Sequence, residues 1–219
     1  MTLSPITKKV SDVGIFVKRA FGDESAVQVT DDDIYRWINA AQQEILNKNK
    51  ILKAVATTDL LAGTNEYTFP GENIQEVQAV HINGRKIEYV SFQESEERVS
   101  SDATSNQLAT GFPTIWYEWG GIFYLYPVPE ATIVNGIKIY YVKGPVNVAT
   151  QAELLSVPDE YFNRIVEYCL GQAYEMDEDT QNSQYKFGQF NQGLDNMADL
   201  AVTPHADTYP RITILEDDL

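Results

Sequence analysis

The sequence predicts an α+β protein: a four-helix bundle interrupted by a β-rich insertion, sandwich- or barrel-like, and followed by an extended C-terminal tail. Three observations predict it. Apolar residues recur at steps of three and four in two segments near each end of the chain. They alternate at strand spacing in the middle. Past Pro204 the chain keeps neither period. The expected division is a discontinuous helical domain from residues 1–50 and 155–203, an insertion over 51–154, and a tail over 204–219.

In the first helix Ile6, Val10, Val13, Val17 and Ala20 share one face, and Gly22 ends it. In the second, Thr30 caps the N-terminus with Asp33 three residues on. Asp31, Asp32 and Asp33 lie in the first turn, where the helix dipole favours negative charge, and Ile34, Trp37, Ile38, Ala41 and Ile45 form the buried stripe. Two amphipathic helices this close in sequence are expected to pair as a hairpin.

The period changes at residue 51. Residues 51–59 and 66–70 read as strands. Another runs from Val77 through Ile82 to Asn83-Gly84, a dipeptide that tolerates positive φ, and residues 86–92 return from it. Residues 93–111 are polar and poor in β-formers and read as a long loop, with room for one helical turn, that contacts a neighbour. A hairpin follows, with aromatic strands on either side of Gly120-Gly121, and residues 133–142 add a last strand.

The third helix is expected to start at a Ser156 cap, with Pro158 and Asp159 in its first turn. Phe162, Ile165, Cys169, Ala173 and Met176 give its stripe, and Tyr161, Val166, Tyr168, Leu170 and Tyr174 widen it beyond one face. Such a helix must be covered on several sides, which sister chains in a ring would do. The expected subunit-interface residues are Tyr161, Tyr168 and Tyr174, with Trp116 and Trp119 from the hairpin. The fourth helix, near 181–201, packs through Phe187, Phe190, Leu194, Met197 and Ala201. Its other face is uncharged and polar: Gln181, Gln184, Gln189, Asn191, Gln192 and Asn196. Gly188 and Gly193 each weaken it by about 1 kcal/mol relative to alanine, so packing must compensate.

With 16 basic and 32 acidic residues the net charge is −16. Residues 1–60 carry 8 of each sign, whereas residues 151–203 carry 2 basic and 10 acidic. Such a chain repels phosphates rather than gripping DNA. No run of about 18 apolar residues occurs, so no membrane span is expected. Nor does the start read as a secretory signal. One cysteine rules out an internal disulfide, and two histidines with one cysteine are too few for a zinc site. The acidic run 175–179 lacks the glycine and closing glutamate of a calcium loop and reads as a solvated turn. No phosphate loop, dinucleotide fingerprint or nucleophile elbow occurs, and nothing singles out a carboxylate pair. No enzyme activity and no cofactor or metal is expected.

Several segments in order resemble the head–tail connector or adaptor proteins of tailed phages, especially short-tailed ones. They are residues 31–46, which include Asn39-Ala40-Ala41-Gln42; Tyr67-Thr68-Phe69-Pro70; Val80-His81-Ile82-Asn83-Gly84; Gly111-Phe112-Pro113 before Trp116-Tyr117; Leu125-Tyr126-Pro127-Val128-Pro129; and Val157-Pro158-Asp159-Glu160-Tyr161. The resemblance covers most of residues 1–180. It implies a structural virion protein, made in the host bacterial cytoplasm and located at the head–tail interface. It implies a homo-oligomeric ring of twelve copies docked beneath the portal, extending the DNA channel and seating the tail tube, nozzle or fibre proteins. Double-stranded DNA would pass without specific binding, along a wall for which the Gln/Asn face of the fourth helix is the candidate. The tail would dock on the portal through Tyr209, Ile212, Ile214 and Leu215. The alternatives are another tail component, such as a tail-tube or fibre-attachment protein, and a carbohydrate-binding domain using the hairpin aromatics.

Overall fold

The computed structural model describes residues 5–102 and 108–202. In chain order its main elements are α1 (Val10–Phe21), α2 (Asp31–Asn49), β1 (Lys53–Leu60), β2 (Glu66–Thr68), β3 (Ile74–Ile82), β4 (Arg85–Tyr89) and α3 (Phe92–Asp102). Then follow β5 (Thr110–Gly111), β6 (Ile115–Trp119), β7 (Ile122–Tyr126), β8 (Val128–Pro129), β9 (Ile133–Lys143), α4 (Phe162–Met176) and α5 (Thr180–Val202). The protein is therefore mixed α and β. It divides into two compact units, Met1–Asn49 with Asn147–Leu219, and Lys50–Val146.

In the helical unit α4 packs on α1, α2 and α5, and α1 packs on α2. Val13, Val17, Ile34, Ile38, Ile45, Ile165, Cys169, Phe190 and Leu194 form its interior. Thr30 caps α2 reciprocally: the Asp33 amide donates to the Thr30 hydroxyl, and the Thr30 amide donates to the Asp33 carboxylate, both at 3.2 Å. Helix α1 is shorter than its apolar pattern. Ile6 lies ahead of it and is exposed, because residues 7 and 8 are held by the Asp159 carboxylate, which accepts the Thr7 amide at 2.8 Å and the Lys8 amide at 3.0 Å. Ala20 is exposed as well.

Residues 147–154 belong with the helices rather than with the strands. Two α2 side chains hold this connection by its backbone. Asn39 donates to the Val148 carbonyl at 3.0 Å and accepts the Val148 amide at 2.8 Å, and Gln42 accepts the Ser156 amide. The same connection bridges to the chain ahead of α1 at Lys9 and Leu154. Ser156 is not the cap expected of it. A 3-10 turn, Asp159–Tyr161, stands between it and α4, and its amide is committed to Gln42.

The strand unit holds a seven-stranded sheet in the order β1-β9-β3-β4-β6-β7-β2, and a small pair β5-β8. Asn83-Gly84 and Gly120-Gly121 turn its two hairpins with positive φ at both positions, the geometry that matches strand twist. The sheet curls: Leu60 at one edge and Tyr67 at the other share one core with Ile82, Phe123, Leu125, Ile137 and Ile139. The Leu61 amide donates to the Tyr67 hydroxyl at 3.0 Å across that closure. Strand β4 splits its partners. Its first half pairs antiparallel with β3, and its last two residues pair parallel with β6.

Residues 92–102 form a helix of three turns where the sequence reads as a loop with one helical turn at most. The cause is local. The Glu94 amide donates to the Ser91 hydroxyl at 3.2 Å, and Arg98 pairs with Glu94 one turn back at 2.6 Å. The spacing of Ser91, Glu94 and Arg98 was the available signal.

Candidate interaction surfaces

The broad apolar girth of α4 is covered by its own chain. Tyr161 is buried and accepts a hydrogen bond from the Asn49 side-chain amide at 3.2 Å. Tyr168 meets Phe187 and Phe190 edge-on at 5.5 and 5.1 Å, and Tyr174 meets Phe21 at 5.5 Å. Trp116 is likewise buried within the strand unit. Tyr161 and Trp116, both expected at a subunit interface, are thus buried within the single chain. Helices α1, α2 and α5 supply three covering sides for α4. Tyr168 and Tyr174 are half-buried, and Trp119 is 59 % exposed.

Glycines let α5 approach α4. The Phe187 ring lies over Gly171, and a Cβ there would stand 3.0 Å from it. At Gly193 a Cβ would fall 2.0 Å from Arg164 Nη1. The Arg164 guanidinium uses that space to donate to the Gln189 carbonyl at 3.0 Å while pairing with Glu167 at 2.7 Å. Burial pushes the Glu167 carboxyl up, against the opposing pull of Arg164 and Lys186. Gly188, by contrast, faces open space.

The outer face of α5 is polar, as its sequence predicts. Gln181, Gln184, Asn191, Gln192 and Asn196 are exposed. Gln189 is half-buried, donating to the Tyr185 hydroxyl at 2.9 Å. The single cation of α5, Lys186, is folded back. It donates to Gln189 Oε1 at 3.1 Å and lies over the Tyr185 ring. Asp195 pairs with Lys48 of α2 at 2.6 Å. Lys186 and Asp195 are thus engaged within the chain, and the outward groups named above are amides. The sequence pattern missed Tyr185, which is 60 % exposed among them.

On the strand unit the β6–β7 hairpin carries a row of rings. Trp119 stacks on Phe92 of α3 at 4.4 Å, Phe92 meets Tyr117 at 6.1 Å, and Tyr117 stacks on Tyr124 at 5.0 Å. Helix α3 covers part of the hairpin face and leaves Trp119 at its tip. The remaining candidates bring no chemistry together. Burial pushes the Cys169 thiol far up, so it is a packed side chain and not a thiolate. In the acidic run Asp179 caps α5 through the Asn182 amide at 3.1 Å, and no group of potential metal ligands exists among the described residues. Tyr209, Ile212, Ile214 and Leu215 lie outside the described residues.

The sequence pattern of the SU10 adaptor proteins, which are phage head–tail adaptors, matches residues 1–211. The chain belongs to this adaptor family. No curated protein matches it. As a phage adaptor it takes its place at the head–tail region of the virion. Among the described residues no helix is long and apolar enough to cross a membrane. The family match runs past Pro204 and includes Tyr209, whereas Ile212, Ile214 and Leu215 lie beyond it.

The adaptor motifs read from the sequence turn out to be scaffold. Asn39 and Gln42 hold the 147–156 connection, Asp159 holds the start of the chain, and Tyr67 closes the curl of the sheet. None of them forms a reactive site.

Proposed function

We propose that this adaptor is one subunit of a ring of twelve between portal and tail, and that α5 lines the DNA channel of that ring. The observation that carries the reading is the outward face of α5, exposed, amide-rich and without a free cation. DNA sliding past such a wall meets groups that neither attract nor strongly repel its phosphates, whereas lysines would retain it by counterion release. The acidic excess of residues 151–203 acts in the same direction. In this reading α1, α2, α4 and α5 make one bundle, the curled sheet is a barrel-like insertion, and the virion role is structural with no enzymatic step. The C-terminal tail docks on the portal through Tyr209, Ile212, Ile214 and Leu215. Trp119, with the half-buried edges of Tyr168 and Tyr174, contacts neighbouring copies.

The test replaces Gln184, Asn191 and Gln192 by lysine. The triple variant is expected to retain double-stranded DNA at low salt, where the wild type does not, and particles carrying it eject DNA more slowly. An image of the assembled ring with residues 181–196 on its outer wall would remove the channel assignment. A second reading, attachment of a fibre or other tail protein, is favoured by the exposed Trp119 at a hairpin tip. Trp119→Ala would then lose fibre attachment while leaving ring assembly intact.

A further inference from the structure

The face of the large sheet turned away from its core carries a line of basic side chains. Strand register sets Thr57, Lys138, His81 and Lys86 opposite one another across β1, β9, β3 and β4. The two lysines stand two strand spacings apart, about 10 Å, with the imidazole between them. Both are exposed. The Lys138 ammonium lies 5.5 Å from the centre of the Tyr140 ring, and His81 meets the same ring at 4.9 Å. Val55, opposite Tyr140 in the register, is 50 % exposed. Strand alternation puts three carboxylates on this face, and each is engaged elsewhere. Glu76 pairs with Lys50, Glu88 pairs with Arg98 at 3.1 Å, and Asp59 accepts the Asn135 amide at 2.7 Å. Lys86 and Lys138 make no ion pair among the described residues. The helical unit holds the complement. At the turn from α4 to α5, Glu175, Asp177 and Glu178 stand exposed around Met176, itself 46 % exposed. None of these three carboxylates makes an ion pair among the described residues.

We propose that the Lys138–His81–Lys86 line of one copy receives the 175–178 turn of a second copy. This rests on reading the chain as a ring subunit, and it names the surfaces that join one subunit to the next. Copies that each carry a net charge of −16 repel one another, so a junction needs a place where that repulsion is locally reversed. The sheet face supplies cations that its own carboxylates leave unmatched, and the turn supplies carboxylates that no cation of the chain takes up. Two sheet faces brought together would oppose lysine to lysine, and two turns would oppose carboxylate to carboxylate. One of each pairs opposite charges. Met176, unbranched and adaptable, then lies against Val55 and the Tyr140 ring. Double-stranded DNA is the rival occupant, but its phosphates would have to approach a strongly acidic body to reach two lysines, which favours the protein partner. Two different patches on one molecule make a head-to-tail contact, the kind that propagates and closes into a ring when the rotation permits.

Two charge-reversed chains test this: Lys86→Glu with Lys138→Glu, and Glu175→Lys with Asp177→Lys. All four positions are exposed, and circular dichroism checks that both chains fold. Self-association of the full chain is followed by sedimentation up to millimolar concentration at low salt. Each reversed chain alone is expected to associate about tenfold more weakly than wild type, and an equimolar mixture to recover, because alternating copies restore every junction. A photo-crosslinking side chain at the exposed Thr57 position, in a mixture of isotope-labelled and unlabelled chains, reports the contact by mass spectrometry. The crosslink is expected within residues 174–179 of the other copy. If the wild type associates but either variant matches it, if the mixture fails to recover, or if the crosslink falls elsewhere, this interface is wrong and the ring reading survives on another surface. If the wild type never associates, both fail together. Retention of double-stranded DNA by the wild type, lost in the lysine-reversed chain, would make the basic line a phosphate site and overturn the junction.

Discussion

Helix α4 and the tip of the β6–β7 hairpin treat their aromatic residues in opposite ways. In the helical unit Tyr161, Tyr168 and Tyr174 turn inward or against neighbouring rings, because α4 has α1, α2 and α5 around it. In the strand unit the hairpin has a core on one face and only α3 on the other, so Trp119 is left at the tip with a single ring beneath it. Aromatic density alone therefore does not mark an interface. What decides is how many sides of an element its own chain can cover.

Acid should separate the units most strongly. Asp23, Asp31, Asp33, Glu153, Asp159 and Asp179, all in the helical unit, are held below the ordinary carboxylate range. Asp23 is lowered chiefly by the Val29 and Val27 amides, Asp31 by Lys18 and Asp159 by Thr7. A depressed folded pKa contributes stability that is present above the unfolded value and lost as the pH falls through the folded one, so the loss comes below about pH 4. Hydrogen exchange near pH 3 is expected to open helical-unit amides before those of the curled sheet. Simultaneous opening would erase the contrast.

Next in size is the α4 core. Ile165→Ala is expected to cost about 2–5 kcal/mol in denaturant unfolding, since the side chain is fully buried and its space cannot refill. Gly193→Ala follows, costing about 1–3 kcal/mol despite alanine's better helix propensity, because its methyl displaces Arg164 from Gln189 and strands Glu167. Trp119→Ala is expected to cost about 0.5–1.5 kcal/mol, the worth of one ring stack, and a loss of core size would mean that the hairpin tip is structurally buried. The smallest change has the opposite sign. Gly188→Ala adds a methyl into open space and should raise stability by about 0.5–1 kcal/mol in the same measurement.

The sequence alone determined whatever depends on neighbours along the chain. Period located α1, α2, α4 and α5, the Thr30–Asp33 cap marked the start of α2, two-residue turns located the hairpins, and the amide composition of α5 foretold an outward polar face. It also carried the Ser91–Glu94–Arg98 spacing of α3, but the polar composition of residues 93–111 outweighed that signal. Only the tertiary structure decided the rest. The parallel pairing of β4 with β6, the backbone clamp of Asn39 and Gln42 on a connection more than a hundred residues away, and the covering of α4 all join residues distant in sequence. No local period encodes such partners. They are chosen by which surfaces meet once the chain has collapsed, and the same choice leaves Ile15, Phe16, Tyr185 and Trp119 uncovered.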